Sequence, residues 1–492
     1  MPHAPSPAKE VISHGPTGEL DGRFQAAHPG SYGRVDAWGQ QPLLGRADGL
    51  EISFYAQPWM LSSQYPQSII STLNAQTQHG FSILLDQENN LALWVATEAG
   101  VETIKVAFEA RKERWFRAGI RIRNTSVEIT ISHIAHGAEI TPLSASVQTK
   151  LRGVPRLDSE GPLLFGAMFA TSPKTTSAKP IHFFNGRLDS PHFKALAHRD
   201  WDIAKYDFSV GIDTDEIFDV SGSGLSGILV NSPTRAIRGY DYDHHLIGYS
   251  WKDATYGFGA IHFHDDDLDD ADWETDLRFT VPLNIRSGAY AVEVSDAEDP
   301  KLVDAVVFFV RPKTIRRQAK VAFVFSTFTY LAYANEHMYD ETKSTHISFP
   351  EGVQPLVSDN YFKMLRRTDL GMAIYDLHSD LSPVVYSSSK RPILNVRPDY
   401  VHWAFERPRE FAADLLMVGF LEKLLGAEGY DTLTDHDLHL RGAAALASYD
   451  VVIAGAHPEY PTMESLDAYE TFSRRGGSLL YTGGNGFYVS SP

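Results

Sequence analysis

The sequence predicts a multidomain protein: a β-sandwich first, a small β module next, and an α/β domain last. Three observations carry this reading. The chain has 492 residues, more than one core can hold, since single domains usually run ~100–200 residues. Its first half is a succession of short alternating or apolar runs separated by Asn, Gly, Asp and Pro clusters. At Lys320 the texture changes to continuous apolar strands alternating with helical patterns, the order of an α/β fold.

Residues 1–20 read as a flexible tail, rich in Pro2, Pro5, Pro7, Gly15, Pro16 and Gly18. Residues 21–232 hold the sandwich runs, among them Leu50–Tyr55, Phe81–Asp86, Leu91–Val95, Trp115–Ile122 and Glu128–His133. Their spacing of roughly 8–12 residues is that of sandwiches and barrels. Residues 233–312 continue in strands, at Gly259–His264, Ala289–Val294 and Ala305–Val310. Between the first two lies Asp265–Asp276, too acidic to be buried. Lys313–Lys320 forms a basic joint. From there to residue 492, Val321–Phe325, Asp450–Gly455 and Ser478–Gly484 are strands buried on both faces of a parallel sheet. Phe411–Leu425 and Met463–Arg475 have helical periodicity.

Composition excludes several functions. With 44 basic and 62 acidic residues the formal charge is −18, which repels nucleic acid and anionic lipid. The absence of cysteine removes disulfides, zinc–thiolate sites and cysteine nucleophiles, a cysteine amidotransferase included. Any metal must be held by oxygen and nitrogen. Met1–Lys9 lacks the apolar core of a signal peptide and no run reaches the ~18–20 residues of a membrane span, so the expected location is cytoplasmic.

Ligands in open α/β sheets gather at the carboxyl ends of the strands, so the residues that follow the strands are the candidates. Tyr330 and Tyr333 follow the first. His457-Pro458-Glu459 follows the Asp450 strand, and Pro458 restricts the backbone directions on both sides. Gly483-Gly484-Asn485-Gly486 follows the last; it closes a tight turn or, in the manner of a nucleophile elbow, projects Asn485 as a hydrogen-bonding group. Tyr375 and His378 end a fourth apolar run. Phenolates with a carboxylate are hard oxygen donors, suited to ferric iron rather than zinc or copper. By contrast, His262 and His264 share one face of a strand and read as a solvated face, as do His244 and His245. No Gly-x-Ser-x-Gly elbow follows a parallel strand, so a serine hydrolase is unsupported.

At these residues the chain resembles the N,N-dimethylformamidase large (beta) subunit family. The segments that carry the resemblance are Thr329–Glu336, Tyr375–His378, Pro408–Asp414, Thr434–His439, His457–Tyr460 and Gly476–Tyr488, with Gly257–Asp267 and Phe308–Pro312 upstream. The resemblance implies a laminin-G-like (concanavalin-type) sandwich, a small β module, and a glutamine-amidotransferase-like α/β domain that stops short of the family's full extent. It implies hydrolysis of a small, dimethylformamide-like N-substituted formamide to formate and an amine, at a mononuclear non-haem Fe³⁺ bound by two tyrosinates and a glutamate. Residue by residue, Glu459 matches the ligand glutamate, Tyr375 one tyrosine, and Tyr333, ahead of Tyr330, the other. His457 matches the histidine beside that glutamate and Asn485 the asparagine of the Gly-Gly-Asn-Gly turn, and with Glu459 they are the expected catalytic residues. A separate small subunit in a hetero-oligomer is implied as partner, and weak or no activity is expected of the shortened chain alone. The competing reading is a non-catalytic glycan-binding or scaffold protein, with Trp59, Trp94, Trp115 and Trp201 lining a sugar site.

Overall fold

The computed structural model describes the chain except residues 1–9, 15–18, 21–22, 25–26, 41–46, 75–76, 136–140, 159–160, 170–178, 244–249, 255, 302, 314–318, 339–366, 404–405 and 488–492. Expectations for His244, His245 and most of the basic joint therefore lie outside the described residues. No helix among the described residues is long and apolar enough to cross a membrane. The chain forms two compact units. One holds residues 29–269 and 377–382; the other holds 1–28, 270–376 and 383–492.

The first unit is a sandwich of two eight-stranded antiparallel sheets. One has the order Ser144–Lys150, Ser126–His133, Phe116–Arg123, Gly49–Pro58, Gly186–Leu196, Ala260–Phe263 and Thr234–Ile237, with Trp201–Lys205 also paired to Gly186–Leu196. The other includes Tyr32–Val35, Gln67–Ser71, Phe81–Leu85, Asn90–Thr97 and Gly100–Glu109. Strand alternation explains the layering. In Phe116–Arg123 every second residue, from Phe116 to Ile122, is buried while Arg117, Arg121 and Arg123 face water, the period-two pattern of a half-buried strand. Ile52, Phe54, Phe116, Ile120, Phe165 and Phe193 meet in the core between the sheets.

The second unit is built on a four-stranded parallel sheet in the order Tyr430–Thr434, Val321–Phe325, Val451–Ala454, Ser478–Tyr481. Phe411–Leu425 and Met463–Arg474 are helices, as expected. Phe411 and Leu421 are buried, with Leu415 and Val418 packed against the sheet core beside Phe323 and Phe325. The strand Tyr430–Thr434 and the helix Asp435–Arg441 were not foreseen from periodicity. Their junction is fixed locally by a capping box, in which Thr434 and Asp437 satisfy each other's backbone N–H groups.

Three expectations are corrected. The tail is not wholly irregular, because Glu10–His14 pairs antiparallel with Thr275–Thr280. The compact units do not divide near residue 232: Thr234–Ile237 and Ala260–Phe263 extend the sandwich sheet, the latter pairing on Gly186–Leu196. Nor do they divide at 312, since the hairpin Gly288–Ser295 with Val303–Val310 lays Ala289, Val307 and Phe309 against Phe323, Phe325 and Phe411. It is one layer of the α/β core rather than a module with a core of its own. A two-stranded hairpin has too little apolar area to stand alone.

Candidate functional site

In chain order the parallel strands read 2-1-3-4, so the order reverses between Val321–Phe325 and Val451–Ala454. The two connections leaving that point diverge to opposite sides and open a crevice, the usual ligand position in such sheets. One exit turns through the short helix Thr327–Ala332 to Tyr333. The other runs Gly455-Ala456-His457-Pro458-Glu459. Gly455 is required there, because a Cβ would come within 2.6 Å of Ser326 Oγ and 2.8 Å of Asp414.

Four oxygens from three segments converge in the crevice. Tyr333 Oη lies 2.7 Å from Tyr375 Oη and 2.9 Å from Glu459 Oε2, and Tyr375 Oη donates to Glu459 Oε1 at 3.1 Å. The Tyr333 and Tyr375 rings stack with centroids 4.3 Å apart. A fifth oxygen, Tyr460 Oη, is 2.5 Å from Tyr375 Oη. Tyr375 is not at a strand end as expected. It sits in a turn closed by Asp376 N–H to Ala373 O at 3.0 Å, held to the first exit by Ile374 N–H to Ala332 O at 3.1 Å.

Tyr330 goes elsewhere. It is buried, its hydroxyl donates to the Asp414 carboxylate, and burial keeps its pKa well above 10. It belongs to the packing beneath the site, against Phe411.

His457 is the hinge of the polar surroundings. Its Nδ1 is 3.0 Å from Glu410 Oε1 and its Nε2 is 3.1 Å from Glu459 Oε2 and 3.3 Å from Asn485 Nδ2. Burial opposes charge on the ring, but hydrogen bonds to Glu410 and Glu459 outweigh it and raise its pKa to about 9. Glu459 is shifted the other way. Burial would raise it, yet bonds from His457, Tyr333 and Tyr375 hold it below the ordinary carboxylate value. Burial chiefly raises both phenols. Asn485 has φ of +50°, the left-handed conformation of a sharp turn that Asn tolerates better than most residues. The glycine turn thus projects Asn485, exposed on the outer side of His457.

Periodicity and motif reading missed three supports. Glu410 anchors the far nitrogen of His457, and the Arg409 guanidinium lies 5.2 Å over the Tyr333 ring. Arg391, a buried side chain, donates to the carbonyls of Leu370 (2.9 Å) and Met372 (2.8 Å) beside the Tyr375 turn, and to Ala334 (3.3 Å) next to Tyr333. A lone arginine in a loop carries no sequence signal of this, because its partners are backbone carbonyls.

The donor set fits a hard, highly charged cation. Five oxygens crowd together with only three hydroxyl protons among them, and Tyr333 and Tyr375 each face more oxygens than one proton can serve. Buried phenols with raised pKa values ionise in such a place only against a strong positive charge. Tyr333, Tyr375 and Glu459 could hold one ion and leave part of its coordination sphere open.

An α/β crevice walled by phenols and a carboxylate, on a chain that also carries a β-sandwich, defines the class. The chain belongs to the N,N-dimethylformamidase beta subunit-like family, whose C-terminal model matches residues 234–491. It is 30% identical over 99% of its length to the N,N-dimethylformamidase beta subunit of Paracoccus aminophilus, and 31% identical over 99% to that of an Alcaligenes species. It spans 66% of the length of each of these relatives. A solved LG1-3 region of the laminin alpha2 chain aligns with 33% of this chain and 30% of its own, at 10% identity and a TM-score of 0.24.

Proposed function

We propose that the chain contributes the active site of a hydrolase that cleaves a small N-substituted formamide of the dimethylformamide kind to formate and an amine, using a mononuclear Fe³⁺ held by Tyr333, Tyr375 and Glu459. The observation that carries this is the convergence of the three side chains, with oxygens 2.7 to 3.1 Å apart at the sheet's switch point. In this reading the sandwich is laminin-G-like and the parallel-sheet unit glutamine-amidotransferase-like. A separate small subunit is the proposed partner, as the relatives' naming as beta subunits suggests, and the cytoplasm the proposed location.

When bound, the ion supplies Lewis acidity that polarises the amide carbonyl and lowers the pKa of water. The residues divide the remaining work. Water adds through oxygen to the formyl carbon, and its proton passes to Glu459. His457, already protonated, gives the proton on its Nε2 to the departing nitrogen as the C–N bond breaks. Glu459, 3.1 Å away, restores that proton. Glu410 keeps the imidazole ring in place through Nδ1. In this reading the Asn485 amide donates to the carbonyl oxygen as negative charge develops there, a contribution of ~3 kcal/mol in comparable donors.

The test is iron analysis of the purified chain with its visible spectrum, followed by formate release from dimethylformamide. One iron per chain with a phenolate charge-transfer band, and the abolition in Glu459→Gln of whatever formate release the chain shows, are the expected results. A colourless chain that takes up no iron would sink the reading.

A further inference from the structure

The sandwich unit holds a second cluster of ligand-type side chains, none of them a member of the phenol–carboxylate set. His262, on the strand Ala260–Phe263, and His264 just beyond it are 2% and 1% exposed. This overturns the solvated face expected of them. Asp380, 2% exposed, comes from the segment 377–382, which folds as part of the same unit. Asp267, at 8% exposure, likewise departs from the expectation that its acidic stretch stays in water.

We propose that His262, His264 and Asp380 form a binding site for a borderline divalent transition ion, zinc above all. One ligand atom from each lies within 4.8 Å of the others. His262 Nε2 is 3.0 Å and His264 Nε2 is 3.9 Å from the same oxygen, Asp380 Oδ2. Donors on a tetrahedral zinc with ~2.1 Å bonds stand ~3.4 Å apart, so the three need only small adjustments to close on an ion. Two imidazoles and a carboxylate select zinc, cobalt or ferrous iron over calcium or magnesium, which take oxygen ligands.

The surroundings are those of a metal site. His264 Nδ1 is 2.9 Å from Asp267 Oδ2, which also accepts from Ser31 Oγ at 2.6 Å. With an ion bound, this carboxylate takes the Nδ1 proton in its hydrogen bond and leaves the Nε2 lone pair to the metal. Asp380 Oδ1 is occupied by the backbone N–H of Ser382 at 2.8 Å and its hydroxyl at 2.6 Å, which leaves Oδ2 for the ion. Ser382 Oγ, 3.0 Å from His264 Nε2, borders the fourth position. The His378 ring stacks on His264 at 3.7 Å, its own Nδ1 bound to Asp266 at 2.6 Å. The ion's role is structural: it staples residues 377–382 to the end of the sandwich strand.

The experiment uses the full chain carrying Glu459→Gln, so that the phenol–carboxylate crevice does not contribute. After chelator treatment and desalting it is titrated with Co²⁺, followed by ligand-field absorption, and separately loaded with Zn²⁺ and analysed for metal. Expected are about one ion per chain in a tetrahedral spectrum, a rise in melting temperature with zinc, loss of binding in a further His264→Gln change, and ~10–100-fold weaker binding in Asp267→Asn. Should His264→Gln fail to fold, the parent titration decides alone. No cobalt spectrum in that parent, or full stoichiometry kept by a folded His264→Gln chain, overturns the proposal.

Discussion

The hydroxyls of Tyr333 and Tyr375 stand 2.7 Å apart on rings stacked 4.3 Å centre to centre. Stacking fixes the two oxygens on the same edge of the pair, and Glu459 bridges them with one carboxylate oxygen to each. The arrangement is rigid because each ring is packed, so the donors are set before anything binds.

That rigidity separates the tyrosines by function. Tyr333→Phe and Tyr375→Phe each delete an oxygen donor while keeping the ring, so at the proposed ferric site iron content and visible colour should fall sharply with little change in melting temperature. Tyr330→Phe should do the reverse. It removes the buried partner of Asp414, which costs about 1–3 kcal/mol, and leaves the colour. Iron analysis beside thermal melting of the three variants distinguishes the roles.

Arg391 should behave as a positioning residue. Its guanidinium joins the carbonyls beside both tyrosines, so Arg391→Met leaves several buried carbonyls without a donor. A loss of more than about 3 kcal/mol is expected, as each unsatisfied group costs ~1–3. Iron affinity should drop as well, because the turn that carries Tyr375 is released. Arg391→Lys, able to reach only part of the set, should be intermediate.

How far the site was legible follows from which forces hold each residue. Glu459 and Asn485 could be read because strand ends and a glycine turn announce themselves in sequence. Tyr375 could be named but not placed on the fold: its turn is made by Arg391 and Asp376, not by strand periodicity. The resemblance supplied its pairing with Tyr333. His262 and His264 were misread, because alternation along a strand gives the face but not what covers it, and residues 377–382 that cover them come from over a hundred positions away. The hairpin 288–310 was read as strands correctly, yet its apolar face was assigned to a module of its own when Phe323, Phe325 and Phe411 were its partners.

That packing has a consequence for truncation. A chain ending after Arg311 would keep the hairpin but lose the sheet that buries Ala289, Val307 and Phe309. It would also lose Asp431 and Thr432, whose carboxylate and backbone N–H engage Ser287 Oγ at 3.0 and 3.1 Å. Such a chain is expected to aggregate through the bared strands, whereas one ending at Asp269 removes them. Solubility and sedimentation of the two truncations provide the comparison.

A pH dependence is expected from the buried carboxyls under the parallel sheet. Burial raises the Asp435 carboxyl from its ordinary 3.8 to about 8, against a bond from the Phe328 N–H and with added repulsion from Asp414. Asp414 itself is raised to about 7, again chiefly by burial. Both are therefore protonated in the fold at pH values where the unfolded chain has released the proton. Between about pH 4 and 8 the folded state binds more protons than the unfolded one, so stability falls as pH rises through that window. It is complete below the unfolded pKa and is lost through the folded one. Asp435→Asn keeps an uncharged group and an acceptor for Phe328 at every pH, so it should flatten the decline and raise the melting temperature most near pH 8. The slope from Asp414 remains. Thermal melts of parent and variant from pH 4 to 8 give the result; parallel curves would show that Asp435 is ionised in the fold.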